Sequence, residues 1–307
     1  MKHTVIAAAL CGWIVSAPTV AAQQTLAERL GYAPDAKLLI VHADDIGVAR
    51  SVNVAIEKAF EVGGVTSGSA MVPCPWFTDF AAYYREHGPM DVGIHITLTS
   101  EWDTYKWGGV SPPDQIPTLL DSNGYLYPTV EEVVQHADPA QVETEVRAQI
   151  ERAIALGVMP THLDTHMGTM AASPAFAAIY LKLSAEYHLP ILLPRYWLAN
   201  APAAIRDSLA AQPYMVDGIY MIGAQPSKSW SETYGDMIAA MKPGLNEMIV
   251  HLAFDDTEME GVTVNHPDFG AAWRQHDFDF VTSQEFKDML AAHDIKLVTW
   301  DQIRAVM

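Results

Sequence analysis

The feature that most constrains this chain is an alternation of short apolar runs with longer stretches of helical period. KLLIVHA (37–43), VTSGSAMV (65–72), DVGIHITL (91–98), PTHLDTH (160–166), PILLP (190–194), DGIYMI (217–222), NEMIVHLA (246–253) and IKLVTW (295–300) have the length and boundaries of strands. Between them, residues 51–63, 76–88, 139–157, 173–187, 229–242 and 282–294 carry helical patterns. Asp138 before Pro139 suits an N-cap with proline at the first helical position, and Gly157 suits a stop. Thr282 or Ser283 ahead of Glu285 marks another start. Such alternation calls for a parallel sheet with crossover helices. Eight candidate strands predict a single-domain α/β fold, a deformed (β/α) barrel, with an open doubly wound sheet as the alternative. Either fold places ligand sites at the C-terminal ends of the strands. No glycine-rich phosphate loop follows a strand, which counts against nucleotide binding.

One segment breaks the rhythm. Residues 100–128, SEWDTYKWGGVSPPDQIPTLLDSNGYLYP, form a long connection rich in Pro, Gly and Asp, and such loops in compact domains are functional or disordered. Trp102, Tyr105, Trp107, Tyr125 and Tyr127 argue against disorder. Aromatic rings of this kind either stack on sugars or anchor the loop to a core, so Trp107 is a candidate substrate contact.

The N-terminal residues read as a removable export signal. Lys2 and His3 precede an apolar run to about Ser16, and the small residues of APTVAAQQ place cleavage near Ala22. The run is too short to span a bilayer, so the expectation is a periplasmic or secreted protein with residues 23–307 as its barrel domain. Cleavage would leave about 285 residues and one cysteine, Cys74, enough chain to bury a large core without disulfides. The balance of 37 acidic against 18 basic residues disfavours nucleic acid and anionic membrane surfaces as partners. A homodimer is compatible with the sequence but not derivable from it.

The residues able to do chemistry cluster where strands end. Asp44 and Asp45 are adjacent at the end of LLIVHADDIG, where extended geometry would point them to opposite sides. In VGIHITLT, His95 alternates with apolar residues and shares its face with Gly93 and Thr97. In THLDTHMG, His162, Asp164 and His166 share one face if extended, and the two histidines remain i, i+4 neighbours if helical. Asp164 could accept the second ring N–H of a liganding imidazole. His251, after the strand EMIV, could be a third ligand, a general acid or a core residue. His266, His276, Trp273, Arg274 and Asp277 lie in a stretch that could border the site.

Together these residues suggest metal-assisted acyl hydrolysis. Asp45 and two histidines would hold one divalent ion with a position left open for water, zinc favoured and Mg, Mn or Co also compatible. Asp44 would take the water's proton, the oxyanion would be stabilised electrostatically, and a protonated His251 would serve the leaving group.

ADDIG (43–47), GIHITLT (93–99), PTHLDTH (160–166) and IVH (249–251) resemble, in order, the motifs of the YdjC-type carbohydrate deacetylases, relatives of the polysaccharide deacetylases. The resemblance runs from about Leu38 to Ile303 and includes VNVAIEKAFEVGGVTSGSAMVPCPW. It implies a deformed (β/α) barrel that binds one divalent metal and deacetylates N-acetylated sugars. It further implies Asp45, His95 and His166 as ligands, Asp44 as general base and His251 as acid, with His162 in a supporting position. The chain departs from the family at His42, where Asn is usual, at MGTM after His166, and at Leu252, where proline is usual. The alternatives are an esterase or amidase on a non-sugar acyl substrate, a metal-dependent sugar isomerase or lyase, and a saccharide- or metal-binding protein without turnover.

Overall fold

A computed structural model of the protein describes residues 24–201, 203–210 and 212–307, so the predicted signal segment 1–22 lies outside the described residues. Seven strands form one parallel sheet: β1 (Lys37–Ile46), β2 (Ser67–Ala70), β3 (Val92–Ile96), β4 (Leu163–Thr165), β5 (Gly218–Tyr220), β6 (Gly244–Val250) and β7 (Ile295–Leu297). Their order is β4-β3-β2-β1-β6-β5. The isolated parallel bridges Leu163–Ile191 and Pro194–Val216 carry the curl from β4 round to β5, so PILLP contributes bridges rather than a full strand. β7 shares an edge of β1 with β2: it pairs with Lys37–Leu39, whereas β2 begins its pairing at His42. The expected deformed (β/α) barrel is the fold.

The predicted helices form with boundaries moved by at most two residues, as at Arg50–Val62, Phe77–His87 and Pro139–Ala155. Asp138 caps its helix through Ala140 N–H, and Ser283, rather than Thr282, caps Gln284–Ala292 through Phe286 N–H. The helix Ala271–Val281 was not evident from the sequence, and IKLVTW stops as a strand at Leu297 because Thr299 and Gln302 form a capping box for Trp300–Ala305.

Strand alternation separates two cores. Leu39, Val41 and Ala43 join the main hydrophobic cluster beneath the crossover helices. Leu38 and Ile40 instead pack with Leu245, Tyr214 and Trp300 in a second cluster, which fills the barrel interior near the N-terminal strand ends. Farther along β1 the same face carries His42 and Asp44, both buried. The interior therefore changes from apolar to ionisable along the strand direction, and the chemistry gathers at the C-terminal ends.

The 100–128 connection is tied down by its own aromatics. Trp102, Trp107, Ile116, Leu119 and Leu126 are buried, and Leu120 bridges to Leu126. Among the described residues no helix is long and apolar enough to cross a membrane.

Candidate active site

The end of β1 is not extended. Asp45 adopts φ +68°, Gly47 adopts φ +92°, and the β1–β2 register shifts between Ala43 and Ile46. A left-handed aspartate is uncommon but accessible to a short polar side chain. This turn corrects the expectation that adjacent carboxylates point apart. Asp44 and Asp45 both line one cavity of about 520 Å3, together with His95, Glu101, Trp102, His166, Met221, His251, Phe269 and Arg274.

Three donor atoms converge there. Asp45 Oδ1 lies 3.5 Å from both His95 Nε2 and His166 Nδ1, and those two nitrogens are 3.2 Å apart. Separations of this size are the edges expected between ligands placed about 2.0–2.1 Å from a shared Zn-like ion. Asp45 Oδ1 is buried without a hydrogen-bond partner, and such an orphan acceptor between two imidazole nitrogens suits a cation. Arg274, itself buried, occupies the other oxygen, donating from Nη2 to Asp45 Oδ2 at 2.8 Å.

Each imidazole is also held from behind. His95 Nδ1 bonds Asp164 Oδ1 at 2.8 Å, and His166 Nε2 lies 3.1 Å from both oxygens of Glu101. Carboxylates on the far ring nitrogens are the usual means of fixing the tautomer of a metal-binding histidine. The residues present therefore fit a divalent ion.

Electrostatics separate the two aspartates. Burial would raise Asp45, but the Arg274 guanidinium, followed by the neighbouring His166 and His95 imidazoles, holds it well below the usual carboxylate range. Asp44 is pushed up to about 6, chiefly by burial and against the pull of His95. Its Oδ2 sits 3.8 Å from His95 Nε2 and 3.8 Å from His251 Nε2, while Oδ1 is 3.2 Å from His42 Nε2. Burial, reinforced by the charges of Arg274, His95 and His166, takes His251 down to about 3 despite the opposing pull of Asp45. This environment favours the neutral imidazole of His251 at rest. Its backbone N–H donates to Asp277, a buried carboxylate that also accepts from Trp230 and Tyr234 and so pins the end of β6.

The remaining sequence candidates divide by depth. His162 is fully buried, stacked on Trp300 and edge-on to His42, outside the convergent triad. Trp107 lies behind the cavity wall, donating its indole N–H to Thr99 O and packing against Trp102, the aromatic that does line the cavity. Arg274 reaches over the Trp102 ring at 5.8 Å. His266 is at the rim, 3.1 Å from Asp103. Sequence reading missed Glu101 and Glu247. Glu101 lies two residues beyond Thr99 in a loop without periodicity, and Glu247 is the one acid inside the apolar run of β6, which was the available signal.

A curled parallel (β/α) barrel with carboxylates and imidazoles gathered round a cavity at its strand ends defines a barrel enzyme with a His/Asp site suited to a metal ion. The chain belongs to the YdjC-like protein family, which it matches over residues 38–292. It is similar to a carbohydrate deacetylase of Brevibacillus brevis, 30% identical over 267 residues that cover 86% of this chain and 99% of that protein. A carbohydrate deacetylase of Thermus thermophilus is 28% identical, covering 92% of this chain and 99% of the relative. Among solved structures, a protein from Enterococcus faecalis described as a cellobiose-phosphate cleavage protein superposes with TM-score 0.73 at 25% identity, covering 87% of this chain and 98% of the other.

Proposed function

We propose that this protein is a metal-dependent hydrolase that removes acetyl groups from an acetylated saccharide, with an N-acetylglucosamine-type oligosaccharide as the favoured substrate. The carrying observation is the triad Asp45, His95 and His166, backed by Asp164 and Glu101 and flanked by Asp44. Membership in a family whose relatives are named carbohydrate deacetylases supports the acyl substrate.

A divalent ion held by Asp45, His95 and His166, zinc favoured, would supply Lewis acidity and a lowered pKa for water. The chain supplies the rest. Asp44 Oδ2, facing the cavity with its pKa near neutrality, accepts the proton of the attacking water. His251, neutral at rest, takes that proton from Asp44 Oδ2, 3.8 Å from its Nε2, and delivers it to the departing amine. Arg274 holds Asp45 in place, and Trp102 with Phe269 gives the cavity apolar walls against which a sugar ring or acetyl methyl packs.

Export is part of the proposal and rests on residues 1–22 alone; a mature N-terminus near Gln23 in the secreted fraction tests it. The activity is tested by acetate release from N-acetylglucosamine oligomers and O-acetylated glycans, with and without chelator. Release that chelator abolishes and added metal restores is expected. No turnover with Zn, Mg, Mn or Co supplied refutes the proposal.

A further inference from the structure

Beneath the cavity lies a buried carboxylate that the proposed chemistry does not use. Glu247, on β6, is 0% exposed, and neither of its oxygens has a hydrogen-bond partner among the described residues. A bare carboxylate in a dry interior is costly unless a cation or a proton compensates it. The nearby group able to do so is His42 Nδ1, 3.8 Å from Glu247 Oε1.

His42 is equally buried and surrounded by acceptors. Its Nε2 lies 3.1 Å from Ser69 Oγ on β2, 3.2 Å from Asp44 Oδ1 on its own strand and 3.3 Å from Asp164 Oδ2 on β4. Ser69 donates its hydroxyl to Asp164 Oδ2 at 2.9 Å, so its oxygen can only accept from Nε2. Two carboxylates facing Nε2 require a hydrogen there, and Glu247 facing Nδ1 calls for a second. The other titratable groups near the ring are His162, edge-on at 5.0 Å, and Asp91, whose charge also acts on it.

We propose that Glu247 and His42 form a buried pair that positions Asp44. Glu247 keeps the imidazole doubly protonated; the Nε2–H donates to Ser69 Oγ, and the charged ring holds Asp44 Oδ1 and Asp164 Oδ2 within 3.3 Å of that nitrogen. The reading of Asp44 as base is what this pair deepens. Asp164 orients His95 through its other oxygen, so the charged ring between the two carboxylates sets the spacing of the base from a metal-ligand imidazole. It also draws Asp44 Oδ1 towards the ring by charge and leaves Oδ2 facing His95 and His251. Burial pulls the His42 pKa down, yet Glu247, then Asp164 and Asp44, more than offset it and leave the group at about 9; burial, against the pull of His42, pushes Glu247 up to about 8, so the ring holds its proton the more firmly of the two. His42 is a positioning residue, since it acts through Asp44 without reaching the cavity.

The test compares wild type with Glu247→Gln, nearly isosteric, and His42→Gln, which keeps an uncharged donor. All are loaded with zinc. Nitrogen NMR of 15N-histidine-labelled protein at pH 7, with the His42 signal assigned by its loss in H42Q, is expected to show both ring nitrogens protonated in wild type. In E247Q the ring should become neutral, zinc should stay at one per chain, and kcat on an acetylated saccharide should fall about 10–100-fold with KM little changed. A neutral His42 in wild type overturns the proposal, as does an unaltered signal and kcat in E247Q. Two zinc ions per wild-type chain overturn it too, because His42, Asp44 and Asp164 would then be ligands. Should wild type release no acetate from any saccharide, the functional reading fails, while the NMR signal still decides whether the pair exists.

Discussion

Asp164→Asn tests the support of the triad without touching a proposed ligand. Asp164 is buried, its Oδ1 accepts from His95 Nδ1 at 2.8 Å, and its Oδ2 accepts from Ser69 and faces His42 Nε2 at 3.3 Å. Asparagine keeps one oxygen. If that oxygen stays on His95, the amide NH2 meets the His42 N–H, donor against donor. If it rotates, His95 loses its acceptor. Exchanging a charge-assisted bond for a neutral one removes about 1–1.5 kcal/mol, and a stranded buried donor costs about 1–3 kcal/mol. Zinc affinity should therefore fall about 10–100-fold, in the range seen when such outer partners are removed. Competition with a chromophoric chelator measures it, with circular dichroism confirming the fold. A zinc dissociation constant within about threefold of wild type, in a folded protein, would mean that His95 is not a ligand oriented by Asp164.

Asp44→Asn should retain metal and lose about 10²–10⁴-fold in kcat, whereas His95→Ala or His166→Ala should lose the metal itself; metal analysis beside acetate release separates them, and the reverse pattern would exchange the roles. Gly93→Ala should cost about 1–3 kcal/mol in denaturant unfolding, because a Cβ there would sit 2.5 Å from His162 Nε2, on a ring already wedged between Trp300 and His42. For the metal-free protein, His42 is raised to about 9 from an ordinary 6.5. The stability it contributes is fully present below about pH 6.5 and is lost as pH rises through about 9, on the order of 3 kcal/mol in all. Urea unfolding across that window should show the decline, and a rise in stability from pH 7 to 9 would contradict it.

Much of the site was legible because it follows strand periodicity. His95 and Asp164 alternate with the buried apolar residues of their strands as strand periodicity requires, and their strands pair so that the two residues are opposite each other. The partnership of Asp164 with a neighbouring imidazole was readable from residue type, but only the β3–β4 register identified His95 as that partner. Glu101 was not legible, since a loop carries no period from which to infer facing. Neither was the division of the aromatic segment into Trp102 at the cavity and Trp107 behind it, because both possibilities satisfy the same composition.

The sequence by itself determined the architecture and the inventory: alternating strands and helices demand a parallel barrel, and acidic and imidazole side chains at strand ends demand a polar site at its C-terminal face. Tertiary structure decided how the inventory is shared. The left-handed turn at Asp45, which strand periodicity cannot express, brings two adjacent carboxylates into one cavity. Burial then drives their affinities for protons apart, because Arg274 and two imidazoles surround Asp45 while Asp44 carries its charge with less compensation. That difference depends on groups brought together from five places in the chain, and no local stretch of sequence contains it.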